Sequence, residues 1–187
     1  MRRLIARLYQ KIAGWRVVGG PPEQSAVIIG AFHTSNWDFP TFLMVKWYTG
    51  MRAKWLGKDT LFRGPFDFIF RMMGGIPVDR RRPGRLVDQM RELFESTDHV
   101  LLVITPEGTR GATSIWKSGF YRIARGANVP VVLGFVDYRT KTVGFGPSIE
   151  LTGEVSADMG VVRAFYADKA GLRPNKQGPV RLAEESG

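Results

Sequence analysis

Residues 25–49 read SAVIIGAFHTSNWDFPTFLMVKWYT, and this stretch decides the fold. Its opening, SAVIIGA at 25–31, is a short run that is almost wholly apolar, the pattern of a strand buried on both faces. A polar loop holding His33, Thr34 and Ser35 follows. A helix is expected to begin between Asn36 and Phe39, because Pro40 fits only a first helical turn, and to continue through FLMVKW. Strand, polar loop and helix then recur. VLLVIT at 100–105 is a second buried strand, followed by a polar turn and a helix at 117–127, and VPVVLGFV at 129–136 is a third strand. Between them lie a short strand at 52–57, a short apolar helix at 66–74, a brief strand at 76–78 and a helical period over 83–96. Residues 140–151 read as one or two edge strands, 157–170 as a final helix and 171–187 as a loose tail. Such alternation predicts an α/β fold, a central mostly parallel sheet flanked by helices.

Upstream, residues 1–18 predict an amphipathic helix. Leu4, Ile5, Leu8, Ile12 and Trp15 recur at spacings of three and four, while Arg2, Arg3, Arg7, Lys11 and Arg16 supply charge and no acid precedes Glu23. Gly19-Gly20-Pro21-Pro22 ends the element. The expected organisation is therefore an N-terminal amphipathic, membrane-contacting helix within 1–20 and one domain over 21–187, whose size suits a single core. The alternative is that this helix packs on the domain as part of its core. No stretch reaches the roughly 18 uninterrupted apolar residues of a spanning helix, and the charged N-terminus lacks the continuous apolar core of a secretory leader. A cytoplasmic location is expected.

Composition narrows the chemistry. With no cysteine, thiolate nucleophiles, thiolate metal sites and disulfides are excluded, and two histidines make a multi-histidine zinc site improbable. Twenty-seven Lys and Arg against seventeen Asp and Glu give a net charge of +10, which favours an anionic partner.

Three constellations carry candidate chemistry. His33 precedes Asp38 by five residues, and a strand–loop–helix junction can fold that carboxylate back onto the imidazole, leaving the other ring nitrogen as a base. The alternative is a loop histidine beside a helix-capping aspartate. TPEGTR at 105–110 leaves the carboxyl end of a buried strand, where open α/β sheets place ligands, and offers the Glu107 acceptor, the Thr109 hydroxyl and the Arg110 fork. It reads equally as a solvated surface turn. GIPVDRRR at 75–82 is either an anion site or a solvated basic face.

Taken together, the motifs resemble those of a known family. HTSNWD at 33–38 resembles the HxxxxD motif of the glycerolipid acyltransferases, which include the lysophosphatidic acid acyltransferases. GIPVDR at 75–80 is similar to their second block, PEGTR at 106–110 to their third and NVPVVL at 128–133 to their fourth, in the family's order. Ala53-Lys54 and Lys117-Ser118-Gly119 are also similar, while Phe32, Pro77 and Thr105 depart from the usual pattern.

The resemblance implies transfer of a fatty acyl group from a thioester, acyl-CoA or acyl-carrier protein, to a hydroxyl of a lysophospholipid such as 1-acylglycerol-3-phosphate, in phospholipid biosynthesis. His33 and Asp38 would be catalytic, the first as base and the second as its orienter. Asp79, Arg80, Glu107, Gly108, Thr109, Arg110 and Lys54 would bind substrate, with Arg80 and Arg110 on the acceptor phosphate and Lys58 as a further cation. Phe66, Phe68, Ile69, Phe70, Met72 and Met73 would line an acyl-chain groove or else be plain core. No cofactor and no metal are implied. The implied partners are an anionic membrane surface, the lysophospholipid and the thioester donor, with no nucleic acid, and the implied location is peripheral on the cytoplasmic face. Acyltransfer to another lipid acceptor remains an alternative. So does a basic nucleic-acid-binding protein, although no RNP, zinc-finger or helix-turn-helix pattern supports it.

Overall fold

The computed structural model describes residues 1–79 and 83–186. Among these, the strands are β1 (Arg16–Val18), β2 (Ala26–Ala31), β3 (Ala53–Lys58), β4 (Gly75–Val78), β5 (Leu101–Ile104), β6 (Val131–Asp137) and β7 (Thr142–Ile149). The helices are α1 (Arg2–Ile12), α2 (Asp38–Thr49), α3 (Asp67–Met72), α4 (Pro83–Glu95), α5 (Gly119–Ala127) and α6 (Val155–Tyr166). The strands form one sheet in the order β1-β7-β6-β2-β5-β3-β4. From β6 to β4 every pairing is parallel, whereas β7 runs antiparallel to β6 and β1 lies parallel to β7.

Alternation along the central strands builds two cores, because successive side chains point to opposite faces. Val27, Ile29, Leu102, Ile104 and Leu133 meet Met90 and Phe94 of α4, Phe120 and Ile123 of α5, and Met159, Val162 and Tyr166 of α6. Ala26, Ile28, Leu101 and Val132 face the other way, onto Ala6 of α1 and Met44 and Val45 of α2. Both faces of the parallel strands are covered, which explains their unbroken apolar runs.

The ends of the chain differ from the sequence reading. Helix α1 stops at Ile12, and Gly14 follows at a φ of +71°, a left-handed turn that glycine adopts without cost. Residues 16–18, expected in that helix, form instead the edge strand beside β7. Trp15 therefore leaves the apolar stripe and is buried in the second core. The stretch 140–151 is a single strand, and β1 rather than β7 lies at the edge. The expected loose tail is packed: Val180 and Leu182 are buried in the first core, and the Trp116 backbone N–H donates to the Arg181 carbonyl at 2.8 Å. Among the described residues no helix is long and apolar enough to cross a membrane.

Candidate active site

Parallel pairing sends the loops after β2, β3, β4, β5 and β6 to one edge of the sheet. His33 follows β2, and Asp38 opens α2 at the far side of the same loop. The His33 Nδ1 lies 3.1 Å from the Asp38 Oδ2. That oxygen also accepts from the Ser35 backbone N–H at 2.8 Å, and the Tyr138 hydroxyl, just past β6, donates to the Asp38 Oδ1 at 2.9 Å. The spacing of five thus closes into a contact because the helix begins at the aspartate and the loop turns back through Ser35. With Nδ1 directed at the carboxylate, the tautomer that leaves the Nε2 lone pair unprotonated is favoured.

Two ties join this loop to the one after β5. The His33 backbone N–H donates to the Glu107 Oε1 at 2.8 Å, and the Arg110 Nη1 donates to the Asn36 Oδ1. Glu107 is only 4% exposed, so it sits behind the loop as an anchor and not in front of it as a substrate contact. Its Oε2 has no partner among the described residues. Burial pushes its carboxyl up to about 7, against the opposing pull of the His33 N–H. The neighbouring Tyr166 hydroxyl donates to the Gly134 carbonyl at 2.7 Å, and burial, followed by the charge of Glu107, holds that phenol well above its usual range.

The remaining candidates divide by position. Gly108 turns at a φ of +63°, and a Cβ there would come within 2.7 Å of the Lys117 stem, so the glycine lets that lysine lie across the turn. The Thr109 hydroxyl accepts from the Gly111 N–H at 3.1 Å. Thr109, Arg110 and Lys117 are exposed at the edge that carries His33. Asp79 follows β4 at the same edge. The expectation for Arg80 falls outside the described residues. Register places Val78 beside Lys58, so β4 ends three strand spacings, about 14 Å, from β2.

Lys54 does not join the group. It pairs with Leu102, which is level with Val27, six residues before His33 and hence about 20 Å down the sheet. Lys58 closes the same strand at the correct edge. The segment 66–73 also divides. Phe66, Phe68 and Met72 are exposed, whereas Phe70 packs with Phe39, Trp55 and Phe62. Tyr138 was missed by sequence reasoning. It lies 100 residues from Asp38 in the chain and belongs to no motif.

Comparison with known proteins gives the family and the fold. The sequence matches the Acyltransferase family over residues 17–133, more than half of its length, and the chain belongs to that family. The fold is similar to the crystal structure of the 1-acyl-sn-glycerophosphate (LPA) acyltransferase PlsC from Thermotoga maritima. The TM-score is 0.55 at 16% identity, and the match covers 79% of this chain and 67% of that one. No curated protein sequence matches the chain.

Proposed function

We propose that this acyltransferase moves a fatty acyl group from acyl-CoA or acyl-carrier protein to a hydroxyl of a phosphate-bearing lysophospholipid such as 1-acylglycerol-3-phosphate, at the surface of an anionic membrane. The observation that carries the reading is the 3.1 Å pairing of His33 with Asp38 at the edge where Arg110 and Lys117 are exposed. The His33 Nε2 takes the proton of the acceptor hydroxyl as its oxygen attacks the thioester carbonyl. The tetrahedral intermediate then collapses, the C–S bond breaks, and the departing thiolate takes the proton back from the imidazolium. Asp38 opposes the positive charge that His33 carries in between. The acceptor's own alcohol is the nucleophile, so no enzyme serine is needed. Arg110 offers a planar fork for the acceptor phosphate, and Lys117, Lys58 and Arg80 are further cations for it. No cofactor is needed for this chemistry, since both carriers are substrates.

Helix α1 supports the membrane part of the reading. Leu4, Leu8 and Ile12 are 72%, 59% and 77% exposed, whereas Ala6 on the opposite side is buried against α2. Arg3, Arg7 and Lys11 flank the exposed stripe. An outward apolar stripe beside basic residues suits the interface of an anionic bilayer, where each cation contributes about 1 kcal/mol. On this reading the enzyme is peripheral and works on the cytoplasmic face.

The reaction is tested by mass spectrometry of lipids after incubation with both thioester donors and a panel of lysolipids with and without phosphate. The expected product is a diacyl phospholipid, and Arg110→Ala is expected to raise KM for phosphate-bearing acceptors about tenfold, the effect of losing one charge-assisted contact. Equal losses on phosphorylated and unphosphorylated acceptors would remove Arg110 from the acceptor site. No acylated product from any pairing would overturn the reaction. Replacing Leu4, Leu8 and Ile12 together by Ser is expected to abolish sedimentation with anionic vesicles while leaving Tm unchanged, because the stripe is already exposed. Vesicle binding that survives the triple replacement would move the membrane contact elsewhere.

A further inference from the structure

We propose that Tyr138 is a positioning residue for this site, fixing the Asp38 carboxylate from the side opposite His33 and tying it to the seat of α1. The hydroxyl donates to the Asp38 Oδ1 at 2.9 Å, while His33 and the Ser35 N–H occupy Oδ2. With both oxygens engaged, the carboxylate cannot swing about its terminal torsion, and so the imidazole is aimed at one place.

Tyr138 is itself held at three points. Its backbone N–H donates to the Ala170 carbonyl at 2.8 Å. Its ring meets Trp15 edge-on, with centroids 4.9 Å apart and planes at 80°. The Lys141 ammonium lies 5.6 Å from the Tyr138 centroid and 5.0 Å from that of Trp15. Trp15 is buried three residues past the end of α1, so the support of Asp38 begins just beyond the proposed membrane helix.

Tyr138 also remains a donor throughout the working range. Burial, followed by the charge of Asp38, holds its phenol well above the usual range, so it keeps the proton it donates. The groups facing this cluster are His33 from its own loop, Thr41 one turn along α2, Glu107 from the loop after β5 and Tyr9 from α1. Of the ionisable groups among them, His33 is the one in direct contact with Asp38, and its Nδ1–H therefore reports how strongly the carboxylate accepts.

The proposal rests on the acyltransferase reading for its kinetic arm only. The His33 Nδ1–H proton resonance is followed by NMR in wild type and Tyr138→Phe without substrate, with His99→Gln used to assign the two histidines. Removing the hydroxyl leaves Asp38 a stronger acceptor for His33, so the resonance is expected to move downfield. With lysolipid and thioester, kcat should fall about tenfold while KM for both stays within about twofold, as for loss of an interaction used in the transition state. Trp15→Ala should move the resonance the same way by a smaller amount in wild type and not at all in Tyr138→Phe, because the ring then supports no hydroxyl. An unmoved resonance in a folded Tyr138→Phe overturns the positioning role. Equal Trp15→Ala shifts in both backgrounds overturn the tie to α1. A moved resonance in a protein that acylates none of the lysolipids sustains this inference and overturns the reaction.

Discussion

Asp38 and Glu107 both hydrogen-bond to His33, one at the ring and the other at the backbone, and their surroundings could hardly differ more. Asp38 has three donors spread over its two oxygens. Glu107 has the His33 N–H on one oxygen and, among the described residues, no partner on the other, in a pocket where burial pushes its carboxyl up to about 7. A group that opposes a developing positive charge needs its own charge stabilised, and donors do that. A group that only anchors a backbone N–H can do so with or without a proton, since a carboxylic acid still presents a carbonyl oxygen. The same residue type thus serves two purposes, and the environment decides which.

The largest effects should fall on the Asp38 side. His33→Ala is expected to lower kcat by about 10³-fold or more, within the range of positioned acid–base groups. Asp38→Asn should cost about 10²–10³-fold, because the amide opposes the imidazolium poorly and can favour the wrong tautomer. Steady-state kinetics on the preferred lysolipid measures both, alongside circular dichroism to confirm folding. A wild-type rate in His33→Ala would end the mechanism.

Glu107 should be revealed by pH more than by rate. Its folded carboxyl titrates near 7, above the ordinary value of 4.5. Below pH 4.5 both folded and unfolded chains hold the proton and nothing is lost. As pH rises toward 7 the unfolded chain releases it and the folded chain does not, so folding becomes less favourable by up to about 3 kcal/mol at about 1.4 kcal/mol per unit. Glu107→Gln keeps an acceptor for the His33 N–H and cannot ionise. Its stability relative to wild type should therefore rise between pH 4.5 and 8, measured by urea denaturation at both. A difference that does not change with pH would mean that Glu107 ionises as an ordinary surface carboxylate.

The contrast also explains what the sequence could and could not reveal. The strand, loop and helix at 25–49 were legible because burial on both faces leaves an unbroken apolar run and Pro40 limits where α2 can begin. The His33–Asp38 pair was legible because its two members lie at the two ends of one short loop. Glu107 was visible as a member of the turn after β5, but a linear motif does not tell which side chain points inward, and it read as a substrate contact. Tyr138 and the packed tail depend on contacts across the fold, with no local periodicity to announce them. Lys54 was misjudged for a related reason. A lysine at the beginning of a parallel strand and one at its end look alike in a string, yet they lie at opposite edges of the sheet.

The smallest effect concerns the second tie between the same two loops. Asn36 accepts from Arg110 at the surface, whereas His33 and Glu107 are joined in the interior. Water can replace an exposed hydrogen bond, so Asn36→Ala should cost under about 0.5 kcal/mol of stability. Glu107→Ala, by contrast, leaves the half-buried His33 N–H without an acceptor and should cost about 1–3 kcal/mol. The loss from Asn36→Ala should instead appear in acceptor binding. Asn36 holds the guanidinium in one orientation, and a freed side chain of that length must be ordered again on meeting a phosphate, at about 0.5–1 kcal/mol. KM for a phosphate-bearing lysolipid should accordingly rise about two- to fivefold with kcat unchanged. A fall in kcat would place Asn36 at the reacting atoms, and an unchanged KM would show that Arg110 needs no such guide.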